Sequence, residues 1–293
     1  MSRTIRVGSR DSILAVIQSK MVMAAIGNAH PDLQLELVTM KTTGDKILDK
    51  TLDKIGGKGL FVKELDEALL ENQVDITVHS GKDLPMEVDA RLPLLAFSHR
   101  ADPRDVLVLP QGVTTLDPTL PIGCSSQRRT IYLKKLYPNM NVASVRGNVQ
   151  TRLRKLDEGQ YSALVLAGAG LERLGLQERI SRYFTPEEML PAACQGILAI
   201  QGRAGEDCRY LDCFASDDGR DCALSERAFT RRLDGGCSSP VAAFSTVEGD
   251  TITLTGLYVD SDLRTAQKTV TGKRTDGEAL AIALADQLKE ELS

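Results

Sequence analysis

Short apolar segments alternate with longer amphipathic ones over about the first 215 residues of this chain, and that order constrains the fold more than any other feature. Ile5-Arg-Val-Gly8 reads as a strand, and a helix from about Ser12 to Ala29 follows, with Ile13, Ile17, Met21 and Ala24 along one face. His30-Pro31 stops that helix, and Leu33-Gln-Leu-Glu-Leu-Val38 alternates as the next strand. Gly59 to Asn72 reads as a second amphipathic helix and Asp75–His79 as a third strand. Further strands are expected at Asp105–Leu109, Leu120–Gly123, Asn141–Val145 and Ser162–Ala167, with helical stretches near 127–136, 148–157 and 170–178 between them. A βαβα order of this kind predicts parallel α/β sheets with right-handed crossovers. The pattern changes after about residue 216. A helix over about 221–234 leads to strands at Val241–Val247, Thr251–Val259 and Thr265–Val270, and a last helix covers about 277–291. Glu248-Gly-Asp250 reads as the hairpin turn, so this part is a small α+β domain.

Composition removes several classes. A length of 293 residues suits two or three domains, and 42% hydrophobic with 26% charged residues is an ordinary globular balance. The formal net charge of −4 argues against a general nucleic-acid binder, and with no Trp and 4% aromatics there is no base-stacking platform. No apolar run approaches the roughly 20 residues that span a bilayer. The N-terminus runs into a strand without the apolar core of a signal peptide, and six cysteines then point to reduced thiols in the cytoplasm. Cys208, Cys213 and Cys222 lack a Cys-x-x-Cys pair or a nearby histidine, so no metal site is expected.

Two features carry chemistry. In Leu233-Asp-Gly-Gly-Cys237-Ser-Ser-Pro240 a glycine pair follows an Arg-rich helix with Leu224, Ala228, Phe229 and Leu233 on one face. Glycines that take φ > 0 would end the helix and present Cys237 on a short exposed turn. The second feature is shared by the strand-to-helix corners, where ligands of open α/β sheets sit. They read Ser9-Arg10-Asp-Ser12, His79-Ser-Gly-Lys82-Asp83, Gly123-Cys-Ser-Ser126-Gln-Arg128-Arg129 and Ser144-Val-Arg146-Gly-Asn148, the last followed by Arg152. Arg173 precedes Leu174-Gly175, and Lys54 precedes Gly56-Gly-Lys58-Gly59. Cations, hydroxyls and free helix N–H groups in a net-acidic chain suit a ligand with many carboxylates. Asp83 is the one acid of its turn, a natural partner for positive charge that develops during a reaction. Gly56–Gly59 lacks the upstream glycine and the Ser/Thr of a P-loop, and Gly168-Ala-Gly170 has the wrong spacing for a dinucleotide fingerprint.

Taken together, Val7-Gly-Ser-Arg10, Gly56–Leu65, Val78-His-Ser-Gly-Lys-Asp-Leu-Pro85, Asp102-Pro-Arg-Asp105, Ser125–Arg129, Arg146-Gly-Asn-Val149, Leu171-Glu-Arg-Leu-Gly175 and Glu226-Arg-Ala-Phe229 through Cys237 resemble the porphobilinogen deaminase (hydroxymethylbilane synthase) family, in order and over nearly the whole chain. The resemblance implies two α/β domains like those of type II periplasmic binding proteins plus a small C-terminal α+β domain. Domain 1 would cover 1–98 and 194–215, domain 2 99–193, and domain 3 216–293. It implies a cytoplasmic, monomeric transferase of porphyrin and heme biosynthesis that joins four porphobilinogen molecules into hydroxymethylbilane, releasing ammonia each time. Its product would pass to uroporphyrinogen-III synthase.

The implied cofactor is a dipyrromethane held through a thioether by Cys237. Lys82, Ser126, Arg128, Arg129, Arg146 and Arg152 match cofactor-binding positions. Arg10, Ser12 and Arg173 match substrate-binding ones, and Lys54 and Lys58 a loop beside the site. Asp83 matches the catalytic aspartate, which would accept hydrogen bonds from pyrrole N–H groups and stabilise the cation. No metal, nucleic acid or membrane is implied. The chain departs from the family pattern at Gly81, where methionine is usual and a looser Asp83 turn is expected, and at Cys124, Gln127, Cys194 (usually glycine) and Gln201 (commonly glutamate). The reading from another class is a non-catalytic binding protein for a small polycarboxylate, which accounts for the corners but not for Cys237.

Overall fold

The computed structural model of the chain describes residues 3–42, 62–235 and 240–293. Five strands, β1 (Thr4–Arg10), β2 (Gln34–Met40), β3 (Ile76–Ser80), β4 (Leu94–Phe97) and β10 (Leu198–Gly202), form one sheet in the order β2-β1-β3-β10-β4. Five others, β5 (Asp105–Val108), β6 (Ile122–Gly123), β7 (Val142–Ala143), β8 (Ala163–Ala167) and β9 (Arg182–Tyr183), form a second in the order β7-β6-β8-β5-β9. The two sheets have the same plan of order and direction. The third sheet is antiparallel and has three strands, β11 (Ala242–Glu248), β12 (Thr251–Val259) and β13 (Thr265–Lys273).

The first two sheets are mixed, which corrects the expectation of all-parallel ones. Strand β10 runs antiparallel to β3 and β4, and β5 antiparallel to β8 and β9. The reason is topological. The chain leaves β4 at the carboxyl end of the first sheet, crosses over residues 98–104, and enters the second sheet from that same end. A strand that starts there has to run away from it. The return over 184–197 imposes the same direction on β10. Strands β4, β9 and β10 carried no alternation that sequence periodicity could find, because β9 has two residues and β10 is buried throughout.

Most helices begin with a side-chain cap. Ser12 caps α1 (Ile13–Ala29) by accepting from the Ala15 amide, Ser126 caps α3 (Gln127–Leu136), and Asn148 caps α4 (Val149–Asp157). Helix α2 (Lys63–Leu70), the short α5 (Gly168–Arg173) and the last helix, Gly277–Glu291, have none. The buried face of α1 is Ala15, Gln18, Ser19, Val22 and Ile26; Ile13 and Met21 are exposed, so the face read from the sequence is the wrong one. The helix is apolar almost all round, and periodicity alone does not choose a side.

The third sheet is covered on one face by α6 (Asp217–Arg232) and α7 (Gly277–Glu291), where Phe229, Leu254, Leu284 and Leu288 pack together. Ala242, Leu257 and Val259 pack instead with Leu107, Leu133 and Phe184 of the second unit. Glu226 of α6, fully buried, accepts from Arg100, from the Cys194 amide and from Ser245, and so ties this unit to both crossing segments. Helix α6 ends differently from the sequence reading. Asp234 takes the left-handed conformation at φ 52°, not Gly235. Gly235 is needed for proximity, since a Cβ there would meet Thr230 at 2.9 Å. Among the described residues no helix is long and apolar enough to cross a membrane, and no cluster of His, Cys, Asp or Glu could hold a metal ion.

Candidate active site

A cavity of about 680 Å³ opens between the carboxyl ends of the first two sheets, within the usual range for a small-molecule site. Its wall is made by the corners that the strand order brings face to face. From the first sheet come Arg10 at the end of β1, Ser12 at the start of α1, Lys41 after β2, and Lys82 and Asp83 in the 3₁₀ turn after β3. From the second come Arg129 in the first turn of α3, Arg146 and Arg152 around the start of α4, and Arg173 at the end of α5. Among the described residues seven cations therefore face two carboxylates, Asp11 and Asp83, in a chain whose net charge is −4.

Burial raises the free energy of these charges. It pushes the Lys82 ammonium down to about 8, with the neighbouring Arg129 adding to the effect. Burial and Arg129 also lower Arg152, and burial lowers Arg173. The Nε atoms of Arg146 and Arg173 are buried without a hydrogen-bond partner among the described residues. Desolvated guanidinium groups with unused donors have the chemistry to take a carboxylate.

Arg129 is held differently. Burial works against its charge, but Asp105 outweighs that and raises it. The fully buried Asp105 accepts from Arg129 Nε at 2.9 Å, from Arg128 Nη1 at 2.6 Å and from Gln195 Nε2 at 2.9 Å. Burial alone would raise the Asp105 carboxyl; Arg128 and Arg129 overcome it and hold the group well below the usual carboxylate range.

Of the residues singled out by sequence, Arg10, Ser12, Lys82, Asp83, Arg129, Arg146, Arg152 and Arg173 line one cavity. Arg128 does not. It is 3% exposed and spends its guanidinium on Asp105 and the Leu190 carbonyl. Ser126 serves as the α3 cap through the Arg129 amide. Lys54, Lys58 and the Gly56–Gly59 stretch, and Cys237 with Gly236, lie outside the described residues. Lys41 was missed although it follows a strand end, the very signal that found the others. Asp105 and Gln195 were missed as site residues because their roles arise from contacts between residues 23, 24 and 90 positions apart in sequence.

The sequence has counterparts among known proteins. A family model described as "Porphobilinogen deaminase, dipyromethane cofactor binding domain" matches residues 5–210, and "Porphobilinogen deaminase, C-terminal domain" matches 221–290. The chain belongs to the porphobilinogen deaminase family. The porphobilinogen deaminase of Acetivibrio thermocellus is 58% identical over 97% of this chain and 97% of its own length. That of Alkaliphilus oremlandii is 57% identical over 98% and 97%, and that of Nostoc sp. 42% identical over 99% and 92%. Among solved structures, the methionine-binding protein MetQ matches 75% of this chain and 93% of its own at 13% identity and a TM-score of 0.44. The BenM effector-binding domain with benzoate matches 73% and 89% at 16% identity and a TM-score of 0.43. Porphobilinogen deaminases are transferases of tetrapyrrole biosynthesis built around a dipyrromethane cofactor, and this chain is one of them.

Proposed function

We propose that the cationic cavity is where this enzyme joins four porphobilinogen molecules into hydroxymethylbilane, with Cys237 as the anchor of its dipyrromethane cofactor. The observation that carries the assignment of the site is the convergence of seven cations and Asp83 on one cavity at the mouths of two sheets. The residues suit the cofactor. Its acidic side chains need guanidinium and ammonium donors, and Arg146 and Arg173 each offer a buried Nε with no partner among the described residues. When bound, the dipyrromethane supplies the pyrrole on which the chain grows.

The protein's own part follows from electrostatics and position. Lys82, Arg129, Arg146 and Arg152 would hold the cofactor's carboxylates, and Arg10, Ser12 and Arg173 those of the incoming porphobilinogen. Ser126 and Arg128 would act one step back, by capping α3 and by fixing Asp105. Asp83 is an exposed carboxylate on the cavity wall, beside Lys82. There it would accept hydrogen bonds from pyrrole N–H groups and stabilise the positive charge left on the substrate carbon as ammonia departs. Lys54 and Lys58 would add cations from the 43–61 segment.

The three sheets would correspond to three domains: 1–98 with 194–215, 99–193, and 216–293. A cytoplasmic setting is supported by the buried free thiols of Cys124, Cys194 and Cys222, which a reducing compartment preserves. The enzyme would work as a monomer and pass its product to uroporphyrinogen-III synthase; sedimentation of the two proteins, alone and mixed, tests both points.

Intact-mass spectrometry tests the anchor. The purified chain should weigh more than its polypeptide by two linked pyrroles, and Cys237→Ser should weigh the polypeptide alone. A wild-type chain that stays unmodified after incubation with porphobilinogen would leave only a polycarboxylate-binding protein.

A further inference from the structure

Two segments carry the chain between the first two sheets, and they meet at Gln195. Gly196 has φ 88°, and a Cβ on it would lie 2.5 Å from the Ala101 carbonyl, so glycine alone lets the two backbones close. The Ala101 amide then donates to the Gly196 carbonyl at 3.2 Å, and Arg100 Nη1 to the Gln195 carbonyl at 2.9 Å.

The Gln195 side chain is fully buried at this crossing. Its Nε2 donates to the Pro103 carbonyl at 2.7 Å and to Asp105 Oδ1 at 2.9 Å. Two acceptors on one side fix the orientation of the amide, which turns Oε1 toward Lys82 Nζ at 3.4 Å. The same Asp105 oxygen accepts from Arg129 Nε at 2.9 Å. A single amide thus connects a cation of the first sheet's wall to the anchor of a cation in the second sheet's wall.

We propose that Gln195 is a positioning residue that sets Lys82 and Arg129 at a fixed spacing across the cavity, so that both can hold carboxylates of the growing pyrrole chain. The inference rests on the functional reading above. Gln195 does not itself line the cavity; it acts through Lys82 and Asp105. A methionine of similar length would fill the space and remove every side-chain hydrogen bond. The Asp105 and Lys82 charges would then lose their shared dipole, and the two walls their common reference.

The test uses cofactor-loaded enzyme, with the loaded fraction counted by intact mass. Gln195→Met should slow loading of the apo chain, followed by the gain in mass, roughly tenfold, a loss of the size of one hydrogen bond to a charged group, while kcat per loaded molecule changes by less than about threefold. Because part of that action runs through Lys82 and the rest through Asp105, Gln195→Met should slow loading by a smaller factor in a Lys82→Met background than in the wild type. A wild-type loading rate in the single variant, or effects that multiply in full in the double variant, would overturn the proposal. Should Gln195→Met fail to fold, Gln195→Asn carries the same expectation, since its amide is one methylene too short to reach both sides. A wild-type chain that gains no pyrrole mass and turns nothing over would sink the functional reading instead.

Discussion

The backbone of Gly81 faces the side chain of Cys194 so closely that a Cβ at position 81 would meet the Cys194 Cβ at 2.9 Å and the Ile197 carbonyl at 3.2 Å. The two departures noted in the sequence are therefore one. Where a side chain is missing next to Lys82-Asp83, another enters from the opposite segment, and Gly81 is bonded to Ile197 through its amide at 2.8 Å. The space left by glycine at position 81, from which a looser Asp83 turn was expected, is occupied by Cys194.

Gly81→Ala should therefore destabilise the protein by about 1–3 kcal/mol, as overpacking of a close contact does. Cys194 sits at φ 60°, a conformation that favours glycine, so Cys194→Gly should restore most of that loss in the double variant. Thermal unfolding of the two single variants and the double checks the pair. Additive losses would mean that the contact is not shared.

Arg128 and Arg129 are neighbours with separate duties. Arg128→Ala removes one partner of a buried carboxylate and should lower stability by about 3 kcal/mol or more. Arg129→Ala should do the same and in addition slow cofactor loading, because only Arg129 lines the cavity. Denaturant unfolding together with mass-detected loading separates them.

Asp66 of α2 gives a pH dependence of known sign. Burial pushes its carboxyl from 3.8 up to about 6, Asp89 adds to the shift, and its Oδ1 has no hydrogen-bond partner among the described residues. A carboxyl whose folded value is raised favours the protonated fold. The stability it contributes is complete below about pH 4 and lost as pH rises through 6. Asp66→Asn should raise stability by ~1 kcal/mol at pH 7.5, discounted because solvent reaches part of the group, and change little at pH 4. Melting curves at the two pH values decide the matter. A second carboxylate at position 201 would deepen the penalty, and the neutral Gln201, bonded to the Leu92 carbonyl, avoids it.

The Lys82 ammonium, lowered to about 8 by burial and Arg129, loses its charge as pH rises through that value. Cofactor loading of the apo chain should accordingly slow between pH 7 and pH 9, and Lys82→Arg should flatten that part of the profile, since a guanidinium stays charged there. Loading at a constant rate across the range would remove Lys82 from carboxylate binding.

The alternation of elements up to residue 215 was legible because short strands such as β8, a continuous apolar run, alternate with longer amphipathic helices. The α7 helix and the β11–β12 hairpin at Gly249 were legible from local signals alone. The antiparallel entry of β5 and β10 was not, because direction depends on where the chain comes from. The cavity cations could be read one corner at a time. That Arg128 turns inward while Arg129 faces the cavity could not, since successive positions of a helix differ in face only once the helix is docked. The Asp105–Gln195 link joins segments that share no local pattern.

The central claim concerns Asp83 facing a growing, tethered pyrrole chain, and mass spectrometry of loaded enzyme given limiting porphobilinogen tests it most directly. Wild-type enzyme should show discrete added masses of one, two and three pyrrole units above the loaded species. Asp83→Asn should load its cofactor, keep its melting temperature and show almost none of them. An Asp83→Asn enzyme that accumulates the same ladder at the wild-type rate would contradict the account.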